Sequence, residues 1–158
     1  MPLVRHRLDC CICIDEQTQD SVLALHTLFV SIQRAHREAL VVPCVSFHSC
    51  SFEKSEKRRL YANHQGGYRV RCPSCSYNIA SEFSTSVHRW RSGGAFSMTC
   101  SSCKESFPLS QANGSPPFAF SRAAIVLHDV EQAEVGDFWH ESLMQRLGCY
   151  QAIFRRVG

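Results

Sequence analysis

Leu8-Asp9-Cys10-Cys11-Ile12-Cys13-Ile14 is a short apolar run of β-prone residues and reads as a buried strand. Beyond the polar Asp15-Glu16-Gln17-Thr18, apolar residues recur at Val22, Leu25, Leu28/Phe29, Ile32, Ala35 and Ala39, the spacing of an amphipathic helix. Leu40-Val41-Val42-Pro43-Cys44-Val45-Ser46-Phe47 gives a second strand, and its proline points to an edge or a bulge. The same order returns near the other end of the chain. Ala123-Ala124-Ile125-Val126-Leu127 is a third strand, a helix runs from about Asp137 to Leu147 and stops at Gly148, and Cys149 to Arg156 is a fourth strand. Two β-α-β units around a central insertion predict an α+β fold, a ferredoxin-like split β-α-β sandwich. Residues 1–158 then form one domain, with the insertion at 66–110. The expected core is Leu25, Leu28, Ile32, Ile125, Leu127, Phe138, Leu147 and Ile153.

The insertion carries the strongest motif. Cys72-Pro73-Ser74-Cys75 and Cys100-Ser101-Ser102-Cys103 are two CxxC pairs with 24 residues between them. Two intervening residues let one tight turn aim both sulfurs at a point, and two such turns supply a tetrahedral Zn²⁺ site. Gly66-Gly67-Tyr68-Arg69-Val70-Arg71 reads as a turn and strand entering the first knuckle, and Gly93-Gly94-Ala95-Phe96-Ser97-Met98-Thr99 does the same for the second. The gap exceeds the commonest spacing of about 15–20 residues; a short helix over Ser81 to Trp90 fills it. Two disulfides, or four unrelated cysteines, are the competing reading. A site of four thiolates has no open coordination position, so its metal holds shape and does not activate water.

Composition narrows the rest. With 158 residues, 44% hydrophobic and 20% charged, the chain is neither disordered nor collagen-like. No apolar run approaches the ~18 residues of a membrane span, and the first residues do not read as a signal peptide. Ten cysteines are expected to divide between metal binding and burial as small hydrophobes, which implies a cytoplasmic protein. The net charge of +3 is uneven: residues 51–110 hold nine Lys/Arg against four Asp/Glu. An acidic partner would look for that middle third.

Other candidates are weaker. Cys44 and Cys50 could join Cys10, Cys11 and Cys13 in a second metal site, against the simpler reading of buried thiols in strands. His140-Glu141 begins like HExxH, but Met144 stands where the second histidine belongs. Glu53 to Arg59 is a charge run that reads as a solvated loop or helix face. His88-Arg89-Trp90-Arg91 interleaves bases with an aromatic, as nucleic-acid surfaces do, or is a solvated helix with Trp90 packed inward. No GxGxxG, Walker loop or nucleophile elbow is present, and no catalytic constellation is read.

The double CxxC, together with Ser115-Pro116-Pro117-Phe118-Ala119-Phe120, the apolar stretch from Ala123 to Asp129, and Leu147-Gly148-Cys149, resembles a family of small bacterial proteins with a two-CxxC zinc ribbon, some of them antitoxin- or immunity-like. The likeness covers about residues 66–158 and departs at Ser110-Gln111-Ala112-Asn113-Gly114. It supplies no catalytic residues. It implies a zinc-stabilised, non-enzymatic binding protein that neutralises a protein partner such as a toxin or effector, with no membrane role. The alternative is a nucleic-acid-binding zinc-ribbon module. Zinc is expected on Cys72, Cys75, Cys100 and Cys103, and the partner surface on Arg69, Arg71, Arg89, Trp90 and Arg91.

Overall fold

The computed structural model describes residues 7–14, 19–38, 46–63 and 69–157. In chain order its elements are β1 (Arg7–Ile14), α1 (Gln19–Arg37), β2 (Ser49–Tyr61), β3 (Arg69–Arg71), α2 (Ala80–Arg91), β4 (Ser97–Thr99), β5 (Ser106–Pro108), β6 (Asn113–Ser115), β7 (Ala119–His128), α3 (Asp137–Leu147) and β8 (Tyr150–Val157). They divide into two compact units, Met1–Gln65 with Ala119–Gly158, and Gly66–Phe118.

The first unit is a four-stranded antiparallel sheet in the order β2-β7-β1-β8. Helix α1 joins β1 to β2, and α3 joins β7 to β8. That order, with a β-α-β unit at each end of the chain, is the split β-α-β arrangement of ferredoxin-like folds. The central strands β1 and β7 are buried on both faces and pair in register. Cys10, Ile12 and Ile14 share one face with Ala123, Ile125 and Leu127. On this face Leu25, Leu28 and Ile32 of α1 pack, with Trp139 and Leu143 of α3. The other face gathers Cys11, Cys13, Tyr61, Ala119, Ala124, Val126 and Ile153.

Two expectations need revision, and a third falls mainly outside the described residues. The charge run from Glu53 to Arg59 is neither loop nor helix but part of β2. Its residues from Glu56 to Arg59 are all exposed, and its register against β7 slips between Lys54 and Arg59. Charged side chains and a bulge are how an edge strand avoids pairing with other chains. The expected second strand at 40–47 falls mainly on residues 40–45, outside the described residues. Phe138 is not core but 74% exposed. It lies in the first turn of α3, one position before Trp139, and Trp139 with Leu143 at i+4 takes the core side. Leu147 is half-buried against the core, while Leu25, Leu28, Ile32, Ile125, Leu127 and Ile153 are buried as expected.

The second unit is built from two small antiparallel ribbons, β3 with β6 and β4 with β5, around α2. Val70, Ile79, Phe83, Val87, Met98, Phe107, Leu109 and Phe118 are its buried apolar side chains. Phe83 and Phe118 stack with ring centroids 4.9 Å apart. The polar stretch at 110–114 has a packing role: a Cβ at Gly114 would collide with the Phe118 ring, so only glycine lets β6 pass over it.

Candidate metal centre

Each CxxC pair occupies a turn of the same design. Cys72 donates its N–H to the Tyr77 carbonyl and accepts from the Ser76 N–H, at 2.9 and 3.0 Å. Cys100 donates to the Glu105 carbonyl and accepts from the Lys104 N–H, at 2.9 and 3.0 Å. The fifth residue of each turn has positive φ, 64° at Ser76 and 66° at Lys104. That reversal of chain direction brings Tyr77 and Glu105 back to pair with Cys72 and Cys100. β3 leads into the first knuckle and β4 into the second, while β5 leads out of the second.

The result is a single cluster. The Sγ atoms of Cys72, Cys75, Cys100 and Cys103 all lie within 4.8 Å of one another. Two pairs from opposite knuckles, Cys72 with Cys103 and Cys75 with Cys100, stand 3.7 Å apart. These are free thiols, far beyond the ~2.0 Å of a disulfide. Among the described residues this is the group of three or more candidate ligands that could hold a metal ion.

The surroundings treat the four sulfurs unequally. Burial pushes the Cys72 thiol up, but N–H groups of Cys75 and Ser74 and the thiols of Cys103 and Cys75 outweigh it and bring it down to about 7. At Cys103 a backbone N–H at Glu105 favours the thiolate, yet burial and the thiols of Cys72, Cys75 and Cys100 carry it up to about 12. One negative charge is welcome in this cluster, and a fourth is not unless a cation compensates it. Such a set binds a divalent metal with release of protons.

The supports are local. Glu82, in the first turn of α2, accepts from both the N–H and the hydroxyl of Ser101 inside the second knuckle. Arg71 donates from Nη1 to the Ser76 carbonyl at 3.1 Å, bracing the first knuckle.

The five residues expected at a partner surface fall on β3 and α2. Arg69 and Arg71 are exposed on the same side of β3, with Val70 buried between them. Arg89 lines a hydroxyl-rich hollow of about 510 Å³ with Ser81, Thr85, Ser86, Ser97 and Thr99. Arg91 is exposed two positions further along α2, and positions two apart on a helix do not face the same way. Trp90 is half-buried with its ring 5.2 Å from that of Phe96.

The remaining cysteines do not form a second cluster among the described residues. Cys10 and Cys50 belong to the helix-bearing face of the sheet and Cys11 and Cys13 to the opposite face; Cys44 lies outside the described residues. Burial raises the Cys11 thiol to about 12 and pushes Cys13 well up, so both behave as small hydrophobes.

The fold and site thus define a class: an α+β protein with a ferredoxin-like sheet and a four-cysteine metal unit within its chain. No protein-family model, curated protein or solved structure matches the chain. What carries over from the resemblance to two-CxxC bacterial proteins is the cysteine cluster itself. No helix of the described residues is long and apolar enough to cross a membrane.

Proposed function

We propose that Cys72, Cys75, Cys100 and Cys103 hold one structural Zn²⁺, and that the chain is a binding protein acting on a protein partner with an acidic surface, in the manner of an immunity or antitoxin protein. The observation that carries the metal assignment is the 3.7 Å spacing between opposed sulfurs. Four thiolates around zinc, with Zn–S bonds of about 2.3 Å, stand about 3.8 Å apart in a tetrahedron. All four positions are then filled, so the ion stabilises the Gly66–Phe118 unit and takes no part in chemistry. In this reading the unit is an insertion within one α+β domain, and the protein is cytoplasmic.

The partner assignment rests on the exposed arginines of that unit, above all Arg69 and Arg91. A protein surface fits them better than single-stranded nucleic acid does, because Trp90 is half-buried with its ring against Phe96 and only part of it is left for base stacking. Elemental analysis should find one zinc per chain. A partner fixed by crosslinking, identified by mass spectrometry and then purified, should bind Arg69→Glu/Arg91→Glu more than tenfold more weakly, with zinc content unchanged. Unchanged affinity moves the interface elsewhere. A linear fall of log affinity for a DNA duplex with log salt, absent in the double variant, makes the nucleic-acid reading the right one.

A further inference from the structure

Away from the metal unit, the sheet of the first unit assembles three residues that are far apart in the chain. Ser51 of β2 places Oγ 2.9 Å from Nε2 of His128, at the end of β7. Nδ1 of the same imidazole lies 3.2 Å from Oδ2 of Asp9 on β1. Asp9 is 1% exposed, His128 24% exposed at its side chain, and Ser51 half-buried. The order across three neighbouring strands is serine, histidine, carboxylate, with the carboxylate the most deeply buried.

With the imidazole neutral, the geometry sets where its hydrogen sits. A carboxylate only accepts, so Nδ1 of a neutral His128 carries the hydrogen that points at Asp9. Nε2 then has the lone pair and accepts from the Ser51 hydroxyl. Asp9 is fixed in turn: Oδ1 accepts the Asp129 N–H at 3.1 Å and meets Nε of Arg7 at 3.2 Å. Asp129 has positive φ, 54°, so the chain bends sharply after His128 to make that contact. A serine whose hydroxyl points at the free nitrogen of an imidazole, oriented by a buried carboxylate, is the arrangement of an activated nucleophile.

We infer that Ser51, His128 and Asp9 form an acyl-transfer site, with Ser51 as nucleophile, His128 as general base and Asp9 as its positioning residue, acting on an ester or related acyl carbonyl. Ser51 Oγ forms a bond to the carbonyl carbon while its proton passes to His128 Nε2. The leaving alcohol departs with the C–O bonding pair and takes that proton. Water then attacks the acyl-Ser51 ester, giving a proton to His128, which returns it to Ser51 Oγ as the acid is released. This goes beyond the binding role proposed for the metal unit, and neither depends on the other.

The test uses the full zinc-loaded chain, a fluorophosphonate probe and p-nitrophenyl acetate. Phosphonylation forms a P–O bond at serine and expels fluoride. Mass spectrometry should place the adduct on Ser51, and Ser51→Ala should abolish it. His128→Gln should slow both labelling and ester hydrolysis at least 100-fold with circular dichroism unchanged, and Asp9→Asn at least tenfold. Absence of an adduct on the folded wild-type protein, or an adduct on another residue, overturns the assignment whatever the variants do. So does His128→Gln labelling at the wild-type rate, which would make the three residues a hydrogen-bonded brace only.

Discussion

Glu82 on α2 receives two hydrogen bonds from Ser101, one from its N–H at 3.3 Å and one from its hydroxyl at 2.7 Å. Ser101 is the residue after Cys100, so this carboxylate ties the helix between the knuckles to the second knuckle. The long gap between the CxxC pairs is therefore filled by an element that reaches back to the metal cluster.

Replacing Glu82 by Ala should weaken zinc binding about 10-fold or more, the usual effect of removing a group that orients a ligand-bearing turn. Glu82→Gln keeps an acceptor for one of the two donors and should lose less. Competition with a chromophoric chelator measures both. Equal affinity in all three proteins would show that Ser101 needs no support.

Much of this architecture is legible in the sequence, for identifiable reasons. Leu8 to Ile14 and Ala123 to Leu127 announce themselves because central strands are apolar on both faces, and β1 and β7 are those strands. The helices show in their periodicity, and the cysteine cluster in its spacing. β2 was hidden because an edge strand with a register slip need not alternate, so Glu53 to Arg59 carries no strand pattern. Phe138 misled because helical position, not residue type, decides which of two adjacent aromatics is buried. Ser51, His128 and Asp9 left no trace at all. Strand register alone brings them together, and no local motif surrounds any of them.

The buried thiols should make the protein alkali-sensitive. Burial raises Cys11 to about 12 from the ordinary 9.0, and burial, then its cysteine neighbours, pushes Cys13 well up. In the unfolded chain these thiols ionise near their ordinary value, while the folded protein still holds their protons. The unfolded state thus binds fewer protons above pH 9, and stability must fall as pH rises. Each such group contributes a slope of at most ~1.4 kcal/mol per pH unit between about pH 9 and its folded value. Urea unfolding at pH 8 and pH 10.5 measures this. Cys11→Ala should flatten the pH dependence, whatever it costs at pH 8; an unaltered slope would place the titration elsewhere.

Stripping the metal should act unevenly. Four thiols that cannot all ionise without a cation hold the two knuckles together, and zinc affinity in such modules is folding free energy. A strong chelator, or Cys100→Ser, should therefore abolish hydrogen-exchange protection at Val70, Ile79 and Met98. Protection at Ile12, Ile125 and Val126, in the central strands of the sheet, should persist. Loss at both sets together would mean that the two units fold as one cooperative body.

The contact between Gly114 and Phe118 offers the sharpest test of packing in the metal unit. A methyl group at 114 would meet the face of the Phe118 ring, which is itself stacked on Phe83 and cannot swing away freely. Gly114→Ala should destabilise the protein by ~1–3 kcal/mol, the usual range for overpacking. Phe118→Leu alone leaves space and should cost a comparable amount. In the double variant the smaller side chain makes room for the new methyl, so the two losses should not add. A coupling of ~0.5 kcal/mol or more in the double-mutant cycle is expected for residues in contact. If the losses add within error, the Phe118 ring is not what confines position 114 to glycine.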